Sequence, residues 1–225
     1  MVDKHLVRIA DWGVTEQTVI FADDFVLERI PENSDVLDVG CGRGVFDAKV
    51  APKVRRVTGI DIMPDEVEMA NRMKRHENVH FIVFDAENLS QLPGTYDAIF
   101  SRYCFHHLNL SKVAEGIKLK LKPGGRLIGV DCLEDYWKLS GSFFILFNVI
   151  KRLGMVKFLT LVPRLTFFFT PRRFQHVASD IKRIREEKRY HFDDFKAFYL
   201  KYFPGADIGM IGCAGYIDWI NKLPQ

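Results

Sequence analysis

Val36-Leu-Asp-Val-Gly-Cys-Gly-Arg-Gly44 is the stretch on which the reading of this chain turns. Its first half is a short apolar run and predicts a buried strand; the glycines after it predict a tight turn that opens into a helix. Glycine at 40, 42 and 44 permits backbone conformations closed to other residues and lets a ligand approach the main chain closely. Ligands of open parallel sheets bind at such a carboxyl edge, where the strand order reverses. Taken alone, three alternating glycines describe a plain tight turn equally well.

The next predicted strand sharpens the reading, because Val57-Thr-Gly-Ile-Asp61 ends in an acid 21 residues after Gly40. A carboxylate there can accept both hydroxyls of a ribose, so the two segments together predict a bound nucleoside. A dinucleotide site reads Gly-x-Gly-x-x-Gly and cradles a pyrophosphate. This loop reads Gly-x-Gly-x-Gly and is preceded by Asp38. An anion at that place suits the ammonium group of a methionine moiety better than it suits a diphosphate.

Outward from the loop, strands and helices alternate. Helical spacing of apolar residues covers 14–30, and strands are expected at 36–39, 57–62, 79–84, 96–101 and 126–131. Helices are expected at 45–51, 65–75 and 110–121, the last ended by Lys122-Pro-Gly-Gly125. This rhythm predicts an α/β fold: a doubly wound, mainly parallel sheet covered on both faces. After Asp131 about forty residues rich in Phe and Leu interrupt it, before Thr170-Pro-Arg-Arg173 signals another helix start. A helix at 192–203 and apolar runs at 206–211 and 216–220 would then complete seven strands. We therefore expect one domain over 1–225, with an N-terminal helical segment (1–35), a cofactor-binding core (36–132), a helical insertion or lid (133–175) and a final helix and strands (176–225).

Composition is that of an ordinary globular protein. The net charge of +3 conceals an asymmetry: residues 1–132 carry 17 basic and 20 acidic side chains, and residues 133–225 carry 15 and 9. The basic half could favour an anionic partner or a membrane surface, although a run such as Lys182, Arg183, Arg185, Lys188, Arg189 also reads as a solvated helix face. Cys41, Cys104, Cys132 and Cys213 show no Cys-x-x-Cys spacing, and no signal peptide is visible, which predicts a cytoplasmic protein. Charges and prolines interrupt the apolar tract 143–169, so no membrane-spanning helix is expected.

The run 36–131 resembles the core of class I methyltransferases of the small-molecule type, nearest to the group that includes ubiquinone and menaquinone biosynthesis methyltransferases. Val83-Phe-Asp-Ala86, Tyr96-Asp-Ala-Ile-Phe-Ser-Arg-Tyr-Cys-Phe-His-His-Leu108 and Leu119-Lys-Leu-Lys-Pro-Gly-Gly-Arg-Leu-Ile128 carry the resemblance beyond the loop and Asp61. It implies a Rossmann-like methyltransferase fold with S-adenosylmethionine as cofactor. Asp38, Gly40, Cys41, Gly42 and Gly44 would line the methionine part, and Asp61 would hold the ribose. Ile62 would pack on the adenine, Asp85 and Ala86 would meet its amino edge, and Ser101 would stand among the cofactor-lining residues. Asp85 reads alternatively as a turn or helix cap, and Cys41 as a small filler of the turn.

Methyl transfer from a sulfonium is an in-line displacement served by orientation and water exclusion. An oxygen acceptor would profit from a base, and His106 and His107, just past the fourth strand, are the candidates. The same pair reads as pocket wall. Ser101-Arg-Tyr-Cys104 lacks the tetrapeptide of enzymes that methylate exocyclic amines of DNA bases, no nucleic-acid module is recognisable, and Ser101 stands where a metal-assisted mechanism would want a carboxylate. A small-molecule acceptor without metal or nucleic acid is therefore expected. The segment 136–173 reads as a lid over an apolar acceptor, as a peripheral membrane contact, or as core or a homodimer interface. A nicotinamide-dependent oxidoreductase and a catalytically silent fold supporting a partner are the competing functions.

Overall fold

The computed structural model describes residues 16–133, 190–211 and 214–222. In chain order these form α1 (Glu16–Arg29), β1 (Asp35–Val39), α2 (Asp47–Val50), β2 (Arg56–Asp61), α3 (Pro64–Met73), β3 (Val79–Val83), β4 (Tyr96–Arg102), α4 (Leu110–Lys120), β5 (Leu121–Cys132), α5 (Phe192–Tyr202), β6 (Asp207–Ile211) and β7 (Ala214–Ile220). Short 3₁₀ turns at Ala86–Gln91 and Phe105–His107 follow β3 and β4.

The strands make one seven-stranded sheet in the order β3-β2-β1-β4-β5-β7-β6. Pairings among β1 to β5 are parallel, and β7 runs antiparallel to both its neighbours, β5 and β6. The order reverses at β1, flanked by β2 and β4. The carboxyl ends of those three strands therefore border one crevice, where open α/β sheets bind their ligands.

Period-two alternation sorts each strand between two cores. Leu37 and Val39 of β1, Ile60 of β2, Ile99 of β4 and Leu127 of β5 pack with Val113 and Ile117 of α4 and with Phe195, Tyr199 and Phe203 of α5. Val36, Val57, Ala98, Phe100 and Ile128 face the other way and pack with Ala22, Phe25 and Val26 of α1, with Ile30 just after it, and with Val50 of α2. Burying each such large side chain contributes roughly 1.5–3 kcal/mol, so both faces hold the sheet. At the far end Asp218 of β7 receives Arg126 Nε and Nη2 at 2.7 and 2.6 Å and Arg29 Nε at 3.0 Å. That clamp joins α1, β5 and β7.

Two expected boundaries differ. The helix read at 45–51 shrinks to the single turn Asp47–Val50, because left-handed backbone at Gly42 and Gly44 (φ 50° and 69°) carries the loop further than its apolar pattern indicates. Lys122-Pro-Gly-Gly125 was expected to separate helix from strand, yet β5 already begins at Leu121. Gly124 N–H donates to the Asn221 carbonyl and Asn221 N–H to the Gly125 carbonyl, both at 2.8 Å, so tertiary pairing keeps the turn residues in the ladder. The insertion 133–175 lies outside the described residues except for Leu133. Among the described residues no helix is long and apolar enough to cross a membrane.

Candidate active site

The loop after β1 is anchored to its neighbour by two hydrogen bonds: Gly40 N–H and Cys41 N–H both donate to the Ile60 carbonyl, at 2.9 and 3.0 Å. Gly40 takes φ 83°, and a Cβ there would collide with the Cys104 side chain. Only glycine satisfies that backbone and that packing together. Opposite, Gly42 N–H donates to Asp61 Oδ2 at 2.9 Å and Met63 N–H donates to Asp61 Oδ1 at 2.9 Å. Asp61 thus joins the end of β2 to the glycine loop. Ile62 and Met63 beside it are exposed large apolar residues, at 62% and 54%, an unpartnered surface of the kind a flat base would cover.

Alternation along the strands puts Asp38, Asp61 and Arg102 at the crevice on the α1/α2 face of the sheet. Asp38 is only 3% exposed and Asp47, at the start of α2, is fully buried. Burial first, then the nearby Asp47 and Asp61 charges, push the Asp38 carboxyl well above the usual carboxylate range, with Arg102 opposing. The Asp47 carboxyl is raised to about 7, chiefly by burial. Buried carboxyls in this condition suit a cationic partner, so the residues present fit an ammonium group.

Asp85 and Ala86 follow β3. Asp85 caps the 3₁₀ turn: its Oδ1 accepts from Glu87 N–H at 2.9 Å and its Oδ2 from Asn88 Nδ2 at 3.2 Å. The alternative reading as a cap is thus present in the structure, and Ala86 is buried beneath it. Ser101 sits inside the sheet, fully buried, and its Oγ donates to the Val39 carbonyl at 2.8 Å. A hydroxyl so engaged commits its hydrogen to β1 and ties β4 to that strand directly beneath the loop. Cys41 is half-buried, its thiol pushed up by burial and by Asp38, Asp47 and Asp61.

His106 and His107 occupy the 3₁₀ turn after β4, pinned by buried Phe105. The structure adds Asp131, at the end of β5 on the opposite face from Asp38. Its Oδ2 accepts His106 N–H at 2.8 Å and its Oδ1 bonds His106 Nδ1 at 2.5 Å, with both side chains only 5% exposed. The His107 ring is exposed and lies 3.8 Å, centroid to centroid, from that of His106. Among the described residues no three His, Cys, Asp or Glu side chains converge as metal ligands do. Sequence reasoning missed Asp131, Asp47 and Arg102. Strand parity could have paired Asp131 with His106, since Leu127, Gly129 and Asp131 share a face.

Fold and crevice define the class, a Rossmann-like methyltransferase fold. Residues 37–129 match the family model described as methyltransferase domain. A sterol 4-C-methyltransferase of Caenorhabditis elegans is 31% identical over 117 residues, covering 49% of this chain and 35% of that protein. A demethylmenaquinone methyltransferase of Tropheryma whipplei is 35% identical over 101 residues, covering 44% of this chain and 42% of that protein. The chain thus spans well under half the length of these curated relatives. A chain from the complex between the Haloferax volcanii Trm112 methyltransferase activator and a methyltransferase shares the fold, with TM-score 0.58 and 14% identity over 96% of this chain and 98% of that one. Over residues 37–129 the chain is thus similar to a methyltransferase domain. The relatives support neither competing function.

Proposed function

We propose that the chain transfers the methyl group of S-adenosylmethionine to a small, apolar acceptor. The observation that carries this reading is the pairing of the Gly40–Gly44 loop with acids at two strand ends, Asp38 on β1 and Asp61 on β2, the latter in contact with Gly42. Asp38, Gly40, Cys41, Gly42 and Gly44 line the methionine moiety, and Asp61 accepts ribose hydroxyls. Ile62 covers one adenine face, and Asp85 with Ala86 meets the amino edge. Ser101 supports the loop from within the sheet.

When bound, the cofactor supplies an electrophilic methyl on a sulfonium that becomes a neutral thioether on transfer. The chain orients the acceptor and moves its proton. Nδ1–H of His106 donates to Asp131, and in that tautomer the basic lone pair lies on Nε2. His106 is the base we assign and Asp131 the residue that positions it, with exposed His107 bordering the acceptor. The names of the two relatives, sterol and demethylmenaquinone enzymes, favour an apolar ring-containing acceptor. Residues 136–173, outside the described part, would cover it as a lid within one domain spanning 1–225, or reach a membrane surface or a second copy. We place the enzyme in the cytoplasm.

Incubation with S-adenosylmethionine carrying a labelled methyl and a panel of sterols and demethylated quinols tests the reading. Label should enter an organic-extractable product. Label appearing only in added protein or nucleic acid would overturn the acceptor class.

A further inference from the structure

Behind the glycine loop lies a group of charges that does not balance. Three acids, Asp23 of α1, Asp38 of β1 and Asp47 of α2, are each at most 5% exposed. Two cations serve them, and both are engaged by the same acid: Lys49 Nζ lies 2.7 Å from Asp23 Oδ2, and Arg102 Nη2 lies 2.6 Å from Asp23 Oδ1. Arg102 also stacks on the Phe46 ring, with its guanidinium carbon 4.1 Å from the centroid. Asp61 of β2 faces the group too, but it is only half-buried at the crevice, where solvent screens its charge, and it lies outside the dry group; its two oxygens accept the Gly42 and Met63 amides. Cys41 in the loop and Cys104 after β4 adjoin it as thiols raised first by burial and then by nearby carboxylates, Asp38 foremost for Cys41 and Asp131 for Cys104. Neither oxygen of Asp47, nor Oδ1 of Asp38, has a hydrogen-bond donor among the described residues.

Three ionised acids against two cations would leave one net negative charge in a dry interior, which is strongly unfavourable. One proton restores neutrality, and Asp38 and Asp47, whose side chains lie within hydrogen-bonding reach of each other, form a carboxyl pair that cannot ionise twice and is the place for it. One bound monocation restores neutrality as well. The proton and an ammonium group are thus alternatives for the same position.

We propose that Asp38 and Asp47 hold one proton between them before the cofactor binds, and that the ammonium group of the methionine moiety displaces it. On docking, the carboxyl O–H bond breaks, the proton passes to the buffer, and the resulting carboxylate accepts N–H hydrogen bonds from the ammonium. The inference rests on the assignment of Asp38 to the methionine moiety made above. It adds Asp47, which nothing in the glycine motif assigns, to the binding machinery, and it makes cofactor affinity pH-dependent. Arg102 stays paired with Asp23 throughout.

The test is calorimetric titration of the full chain with S-adenosylhomocysteine at pH 7, in phosphate and in Tris, whose ionisation enthalpies differ. The difference in observed heat counts protons. Wild type should release close to one proton per ligand bound. Asp47→Asn should bind with release near zero, and 5′-methylthioadenosine, which lacks the amino acid moiety, should release none from either protein. Wild-type affinity for S-adenosylhomocysteine should tighten by up to about tenfold from pH 6 to pH 7, while that for 5′-methylthioadenosine stays flat. This second readout decides the matter if Asp47→Asn fails to fold. Binding of S-adenosylhomocysteine without proton release and with a flat pH profile overturns the shared proton and leaves the cofactor assignment intact. Absence of binding at every pH overturns both.

Discussion

Asp131 holds His106 at two points, accepting the backbone amide through Oδ2 at 2.8 Å and bonding ring Nδ1 through Oδ1 at 2.5 Å. A carboxylate that grips both the backbone and the ring fixes where the imidazole sits and which nitrogen carries its hydrogen. The two residues come from the ends of neighbouring strands, β4 and β5, whose register pairs Arg102 with Val130. Tyr103 N–H donates to the Val130 carbonyl at 2.8 Å and takes φ 56°, a left-handed kink that turns the chain toward Asp131.

The first prediction follows from this grip. In the long-range nitrogen correlation spectrum of the wild-type protein, neutral His106 should show the Nδ1–H tautomer. Asp131→Ala should lose that preference, and Asp131→Glu should recover part of it, although a purely structural acid would leave the tautomer unmoved. A wild-type His106 protonated on Nε2 would contradict the positioning role.

A second prediction concerns Asp61. Hydrogen bonds from ribose to an ionised acid contribute roughly 1.5–3 kcal/mol each. Asp61→Ala should therefore weaken S-adenosylhomocysteine binding by at least about tenfold, since about 1.4 kcal/mol is a factor of ten. Part of the loss would come through Gly42, whose amide is held by the same carboxylate. A folded variant with unchanged affinity would remove Asp61 from the site.

The third prediction is a stability profile. Burial raises the Asp47 carboxyl from 3.8 to about 7 in the folded chain. A raised carboxyl contributes stability that is fully present below its unfolded value and is lost as pH rises through the folded one. Asp47→Asn removes that loss. Its melting temperature should exceed that of wild type by at least about 3 °C at pH 8 and by less than half as much at pH 5. Equal shifts at both pH values would show that the buried acid does not carry the effect.

The glycine loop and Asp61 were legible because each is a contiguous signal: a strand running into glycines, and a strand ending in an acid. Seven strands and their mainly parallel order followed from the same rhythm, apart from the early start of β5, which depends on Asn221 a hundred residues away. For Ser101 the sequence shows its position on a strand but not that the Val39 carbonyl lies within reach of its hydroxyl. Asp131 escaped because its partner is 25 residues distant and only strand parity connects them. Asp47 escaped because an acid in a helical stretch ordinarily faces water, whereas the single turn of α2 points this one into the sheet.

The most direct measurement is calorimetric titration of the wild-type chain with S-adenosylhomocysteine and, separately, with NADH. A methionine-binding loop of the form Gly-x-Gly-x-Gly behind Asp38 should bind the first saturably and the second not at all. NADH binding of comparable affinity, or no heat from S-adenosylhomocysteine, would contradict the methyltransferase reading.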